Sequence, residues 1–170
     1  LGDVYKRQVT SYAFLTDCLV KATWEFATKV QFPTYNPTDA EKLSVISVGG
    51  YGRREMAPYS DVDLLFLTPY KITPWAESVI ETVLYLLWDL KLKVGHSSRS
   101  IRDCLRMGRE DYTIRTAMLE HRFVCGDSDL AHELNEKLWK NLFEGTAKEF
   151  ISAKLKEREN RHEKHGQRYM

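Results

Sequence analysis

Two short apolar runs, one ending in a glycine-rich turn and the other opening with a pair of acids, constrain this chain more than anything else in it. Val45-Ile46-Ser47-Val48 leads directly into Gly49-Gly50-Tyr51-Gly52-Arg53, and Asp61-Val62-Asp63 leads directly into Leu64-Leu65-Phe66-Leu67. Short runs rich in β-branched and large apolar residues, bounded by turn formers, read as strands buried on both faces. The segment therefore predicts two strands of one small sheet. The first ends in a permissive turn and the second begins with charge.

Each of those ends has a chemical use. Glycine lets backbone N–H groups approach a ligand that a side chain would hold away, and it tolerates backbone conformations that other residues resist. Gly49, Gly50 and Gly52 after a strand fit a phosphate-cradling turn, and Arg53 and Arg54 add charge suited to gripping phosphate oxygens. A glycine cluster alone also closes many ordinary strand-to-helix turns. The acids narrow the choice. Side chains alternate along a strand, so Asp61 and Asp63 are expected on one side. Two such carboxylates repel unless a cation sits between them, and Mg²⁺ binds through one or two carboxylates together with substrate phosphates. The combination reads as a nucleotidyl-transfer site. The plainer reading is two solvated acids ahead of a buried strand.

The string from Gly49 to Arg53, followed by Ala57-Pro58-Tyr59-Ser60-Asp61-Val62-Asp63-Leu64-Leu65, resembles the active-site signature of the bacterial PII-protein uridylyltransferases. These are the nitrogen-sensing branch of the DNA-polymerase-β-like nucleotidyltransferases. The similarity continues through Pro74-Trp75, Leu87-Trp88-Asp89-Leu90, Lys93-Val94-Gly95-His96-Ser97, the run Asp111 to Ala117, and Arg122 to Gly126. It covers most of Ser11 to Met170.

The resemblance implies transfer of UMP from UTP to a tyrosine of PII, a small trimeric regulatory protein, with release of pyrophosphate. It implies that Asp61 and Asp63 hold Mg²⁺ in a two-metal arrangement. Gly49, Gly50 and Ser60 match nucleotide-binding positions, with Gly52 and Arg53 beside them and Arg53 expected near the phosphates. Base identity rests on the resemblance alone. Adenylyl transfer within the same superfamily, and a nucleotide-binding regulatory module without catalysis, are the alternatives. One position departs from the pattern. The superfamily usually carries a third carboxylate on a later strand, but the expected strand, Lys91 to Ser97, offers Gly95-His96 instead. Asp111, Glu120 or no residue takes that role.

Bulk properties bound the rest. The chain has 170 residues, enough for one domain with a real core. Lys plus Arg is 25 and Asp plus Glu 24, a net charge of +1 that disfavours a nucleic-acid partner. No apolar stretch approaches a membrane span and no secretory signal opens the chain. Cys18, Cys104 and Cys125 are far apart and odd in number, which suits a reducing cytoplasm. The alternating charges of Lys148 to Arg168 indicate a solvated helix face, with His162 and His165 exposed on it.

Along the chain, Val9 to Val30 predicts a helix with Tyr12, Leu15, Leu19, Thr23 and Phe26 on its inner face. Pro33 and Pro37 break it. Thr73-Pro74 opens a helix running from Trp75 to Leu90, and Leu92 to Ser97 predicts a third strand with Arg99 just beyond it. Arg99 is read as a phosphate contact or a surface salt bridge. Ser100 with Asp103 predicts a capping box, and Asp111 an N-cap for a helix reaching about Arg122. Helices from Asp129 to Phe143 and from Thr146 to about His165 follow.

The expected fold is α+β, a small mixed sheet of the polymerase-β-like type backed by helices, with an N-terminal helix and a C-terminal helical extension. The expected divisions are 1–8, a non-native leader; 9–38, helix and proline-containing linker; 39–126, the nucleotidyltransferase core; and 127–170, a helical extension cut at its end.

Overall fold

The two apolar runs pair as the central strands of a four-stranded sheet. The computed structural model describes residues 2–144 and 147–166. Strand β1 (Ser44–Ser47) lies antiparallel to β2 (Val62–Thr68), and β3 (Val94–Ser100) runs parallel to β2 on the sheet's outer edge. A fourth strand, β4 (Arg122–Gly126), pairs antiparallel with β1, so the order is β3-β2-β1-β4. The architecture is the expected α+β one, a small mixed sheet between helices.

Both faces of the central strands are covered, which is why they read as nearly continuous apolar runs. Val45, Val62, Leu64 and Phe66 pack on one side with Val20 of α1 (Gly2–Glu25) and Val79, Val83 and Leu87 of α3 (Pro74–Asp89). Ile46, Leu65 and Leu67 face the other way, onto Ile101 and Cys104 of α4 (Ile101–Glu110) and Leu130, Leu134 and Leu138 of α6 (Ser128–Leu138). Between β1 and β2, residues Gly49–Gly52 make a single helical turn, α2. The short α5 (Tyr112–Met118) precedes β4, and α7 (Ala147–Gly166) ends the described chain.

The expected helix starts carry the expected caps. The Thr73 hydroxyl accepts from the Ala76 N–H with Pro74 in the first turn, and Ser100 and Asp103 form a capping box on α4. Asp111 accepts from the N–H groups of Thr113 at 2.7 Å and Ile114 at 3.3 Å, opening α5. Each cap satisfies N–H groups that have no partner inside the helix.

Several elements differ from expectation. Helix α5 ends at Met118 instead of reaching Arg122, because the Phe123-Val124-Cys125 run enters the sheet as β4, closed by Gly126 at φ +94°. Strand β3 continues to Ser100, so Arg99 lies within it, opposite Leu67. The helix expected from Asp129 to Phe143 is α6 followed by a π-helical turn, Trp139–Phe143. The expected start at Thr146 lies outside the described residues, as do the side chains of His162 and His165.

Helix α1 begins at Gly2, taking in residues 2–8, and a π-helical turn, Phe26–Gln31, extends it. Its inner face is rotated from the expected one. Val9, Ala13, Thr16, Asp17, Val20 and Thr23 are buried, whereas Tyr12, Leu15 and Phe26 are exposed and Leu19 is only partly covered.

Asp17 accounts for that rotation. Its carboxylate accepts from the Tyr51 hydroxyl at 2.5 Å and from two Arg122 nitrogens at 2.8 and 3.1 Å. Arg122 also donates to the Tyr51 carbonyl at 3.2 Å, and its guanidinium lies 5.2 Å from the centre of the Tyr51 ring. A charged pair buried this far must face its partner, and apolar residues on the same helix follow. Burial, and then the bond to Asp17, push the Tyr51 phenol well above its usual range, so it stays a proton donor. Asp17→Ala would leave the Arg122 charge without its counter-ion and the Tyr51 hydroxyl without its acceptor. It should cost about 3 kcal/mol in urea unfolding, the lower end for breaking a buried pair given the pair's residual exposure. A loss under 1 kcal/mol would show that the network does not hold α1 in place.

Candidate active site

The glycine turn and the acids meet at one end of the sheet because β1 and β2 are antiparallel neighbours. The Val48 N–H donates to the Asp63 carbonyl at 3.1 Å, fixing the turn against the start of β2. Gly49 then adopts φ +62°, a left-handed conformation that favours glycine. The N–H groups of Gly52 and Arg53 donate to the carbonyls of Val48 and Gly49, so those of Gly49 and Gly50 head the turn.

Asp63 is seated between two glycines. A Cβ on Gly49 would lie 3.0 Å from Asp63 Oδ2, and one on Gly95 would lie 2.7 Å from Oδ1. Gly95 is the register partner of Asp63 on β3. The later strand therefore lacks an acid at this point for a steric reason, since a side chain there would occupy the space of the Asp63 carboxylate. Asp61 stands exposed one residue ahead of β2. Burial, and then the negative charge of Asp61, raise the Asp63 carboxyl above its usual range.

The remaining expected residues have definite places. The Ser60 hydroxyl accepts from the Ala57 N–H at 3.0 Å, closing the loop that delivers Asp61. Gly52 packs against the turn before β4, where an added Cβ would meet the Glu120 carbonyl at 2.3 Å. Arg53 reaches two carboxylates, Glu55 at 3.0 Å and Glu120 at 2.5 Å. Arg99 contacts Met107. It sits opposite Leu67, four residues beyond Asp63 along β2, roughly 13 Å away at strand spacing.

Of the two candidates for a third carboxylate, Asp111 caps α5 and Glu120 holds Arg53. Among the described residues no group of three or more His, Cys, Asp or Glu converges as a metal site. The pairing of Asp17 with Arg122 escaped sequence reasoning: the two lie 105 positions apart, and although Arg122 opens one of the resembling stretches, nothing local connects it to Asp17.

The raised Asp63 carboxyl has a consequence for stability. Its folded-state value exceeds its unfolded one, so as pH rises past about 4 the unfolded chain ionises first and gains relative to the folded chain. That cost is complete above the folded-state value and absent at strongly acidic pH. Asp63→Asn should therefore melt higher than the wild type at pH 7, with the difference closing towards pH 3. An equal or lower melting point at pH 7 would contradict this account of the site's electrostatics.

No family model matches the chain. It is 63% identical over 163 residues to the bifunctional uridylyltransferase/uridylyl-removing enzyme of Cereibacter sphaeroides, covering 95% of this chain and 18% of that protein. With the enzyme of the same name from Ruegeria pomeroyi it shares 59% identity over 160 residues, 94% of this chain and 18% of that protein. With that of Phenylobacterium zucineum the identity is 54% over 157 residues, 92% of this chain and 17% of that protein. The chain thus spans about 18% of the length of the curated relatives it matches. Along nearly the whole of its own length it belongs to the family of the bifunctional uridylyltransferase/uridylyl-removing enzymes.

Proposed function

We propose that this chain is the nucleotidyltransferase part of such an enzyme, moving UMP from UTP onto a tyrosine of a PII-type regulatory protein and releasing pyrophosphate. The observation that carries the reading is the Asp63 carboxylate seated between Gly49 of the glycine turn and Gly95 of β3, with the charge of Asp61 acting on it. The names of the relatives support the uridylyl group, and bacterial relatives fit a cytoplasmic setting.

The donor set suits Mg²⁺. Carboxylate oxygens are the hard ligands it prefers, and the charge that burial and Asp61 disfavour at Asp63 is what a cation would offset. Asp61 and Asp63 would hold the ion, which with the triphosphate bound would neutralise charge as pyrophosphate leaves. The N–H groups of Gly49 and Gly50 would bind phosphate oxygens at the head of α2, and Ser60 would keep its loop closed behind Asp61. The attacking hydroxyl would belong to the partner's tyrosine, brought into line by docking.

The test is incubation with a trimeric PII protein, Mg²⁺ and α-labelled UTP or ATP, following label transfer and pyrophosphate. UMP transfer that drops to background in Asp61→Asn with Asp63→Asn, without loss of folding, is the expected result. AMP transfer would keep the mechanism and change the substrate. Transfer retained by the double variant would overturn the metal assignment, and Mg²⁺-dependent binding without transfer would favour a sensing module.

A further inference from the structure

Arg53 is the cation closest to the glycine turn in sequence, yet carboxylates occupy it. Glu55 and Glu120 both bond its guanidinium, and its far nitrogen Nη2 lies 3.7 Å from where a Gly50 side chain would begin. Glu55 belongs to the loop just after the turn and is largely exposed. Glu120 comes from the opposite side of the site. It lies between α5 and β4, with its N–H bonded to the Ala117 carbonyl and its own carbonyl pressed onto Gly52. Backbone packing thus carries the Glu120 carboxylate to Arg53. Among the described residues, Glu120 does not form a three-acid candidate metal cluster with Asp61 and Asp63.

We propose that Glu120 is a stand-in for phosphate: it holds Arg53 across the glycine turn, and the incoming triphosphate must take the guanidinium from it. This rests on the nucleotidyl-transfer reading above and adds a residue that sets nucleotide affinity. A carboxylate and a phosphate oxygen make the same kind of charge-assisted bond to a guanidinium, so Glu120 on Nη1 and a phosphate compete for the charge and position of one Arg53 side chain. The exchange is easy in energetic terms. The pair is part-exposed, 43% at Arg53 and 32% at Glu120, which places its net worth at the small value of surface ion pairs. Glu120 therefore weakens nucleotide binding by a modest factor without blocking it. While Arg53 is held, its single positive charge is shared between Glu55 and Glu120.

The experiment measures Mg²⁺-dependent UTP binding by calorimetry for the wild-type chain, Glu120→Gln, Arg53→Gln and the double variant, with Asp61→Asn as reference and melting curves for each. Glu120→Gln should tighten UTP binding by about two- to fivefold, and the gain should vanish in the Arg53→Gln background. Unchanged or weaker binding in Glu120→Gln overturns the proposal, as does a gain that persists without Arg53. A loss as complete as that of Asp61→Asn overturns it by making Glu120 a metal ligand. No binding by the wild type overturns the functional reading itself, and is thereby distinguished from failure of the Glu120 assignment alone.

Discussion

The buried pairing of Asp17 with Arg122 and Tyr51 is the interaction on which the arrangement of the site depends. It joins three pieces distant in sequence: the N-terminal helix, the glycine turn and the edge strand β4. Carrying a carboxylate and a guanidinium out of water is costly, and only a nearly complete set of hydrogen bonds offsets it. Asp17 accepts three bonds here, whereas the buried Arg122 Nε has no partner among the described residues. Such a cluster tolerates little displacement. It fixes the rotation of α1, and through the Tyr51 hydroxyl and carbonyl it anchors the middle of the turn.

With the turn held from behind, its front is free of side chains where Asp63 needs room. Gly49 of the turn and Gly95 of β3 flank that carboxylate, and Gly52 lets the turn before β4 approach closely enough for Glu120 to reach Arg53. The glycines thus serve two purposes. One is the left-handed backbone at Gly49; the other is close approach at Gly52 and Gly95, where any Cβ would collide. The result gathers negative charge at one end of the sheet, disfavoured at Asp63 by its burial and suited to a cation with phosphates.

Much of this was legible in the residues. The apolar runs around Val45 and Leu65 announced strands buried on both faces, and Thr73-Pro74, Ser100 with Asp103, and Asp111 announced helix starts that form where expected. These are local effects, decided by a few neighbouring side chains and backbone groups. The failures were also physical. The apolar periodicity of α1 allowed more than one inner face, and the face carrying Tyr12, Leu15 and Phe26 looked the more hydrophobic. A single ion pair to a residue far along the chain selected the other. Phe123-Val124-Cys125 before a glycine was a short strand signal overridden by the helical run ahead of it.

The sequence by itself determined the local pieces of the proposed site: a glycine-rich turn, two acids with one residue between them, and apolar strands to hold both. That follows from residue type and short spacing alone. Only the tertiary structure decided where the other charges go. Glu120 reaches Arg53, Asp111 stays a helix cap, and Gly95 leaves its space to Asp63, because strand register and helix packing bring together groups that no local rule connects.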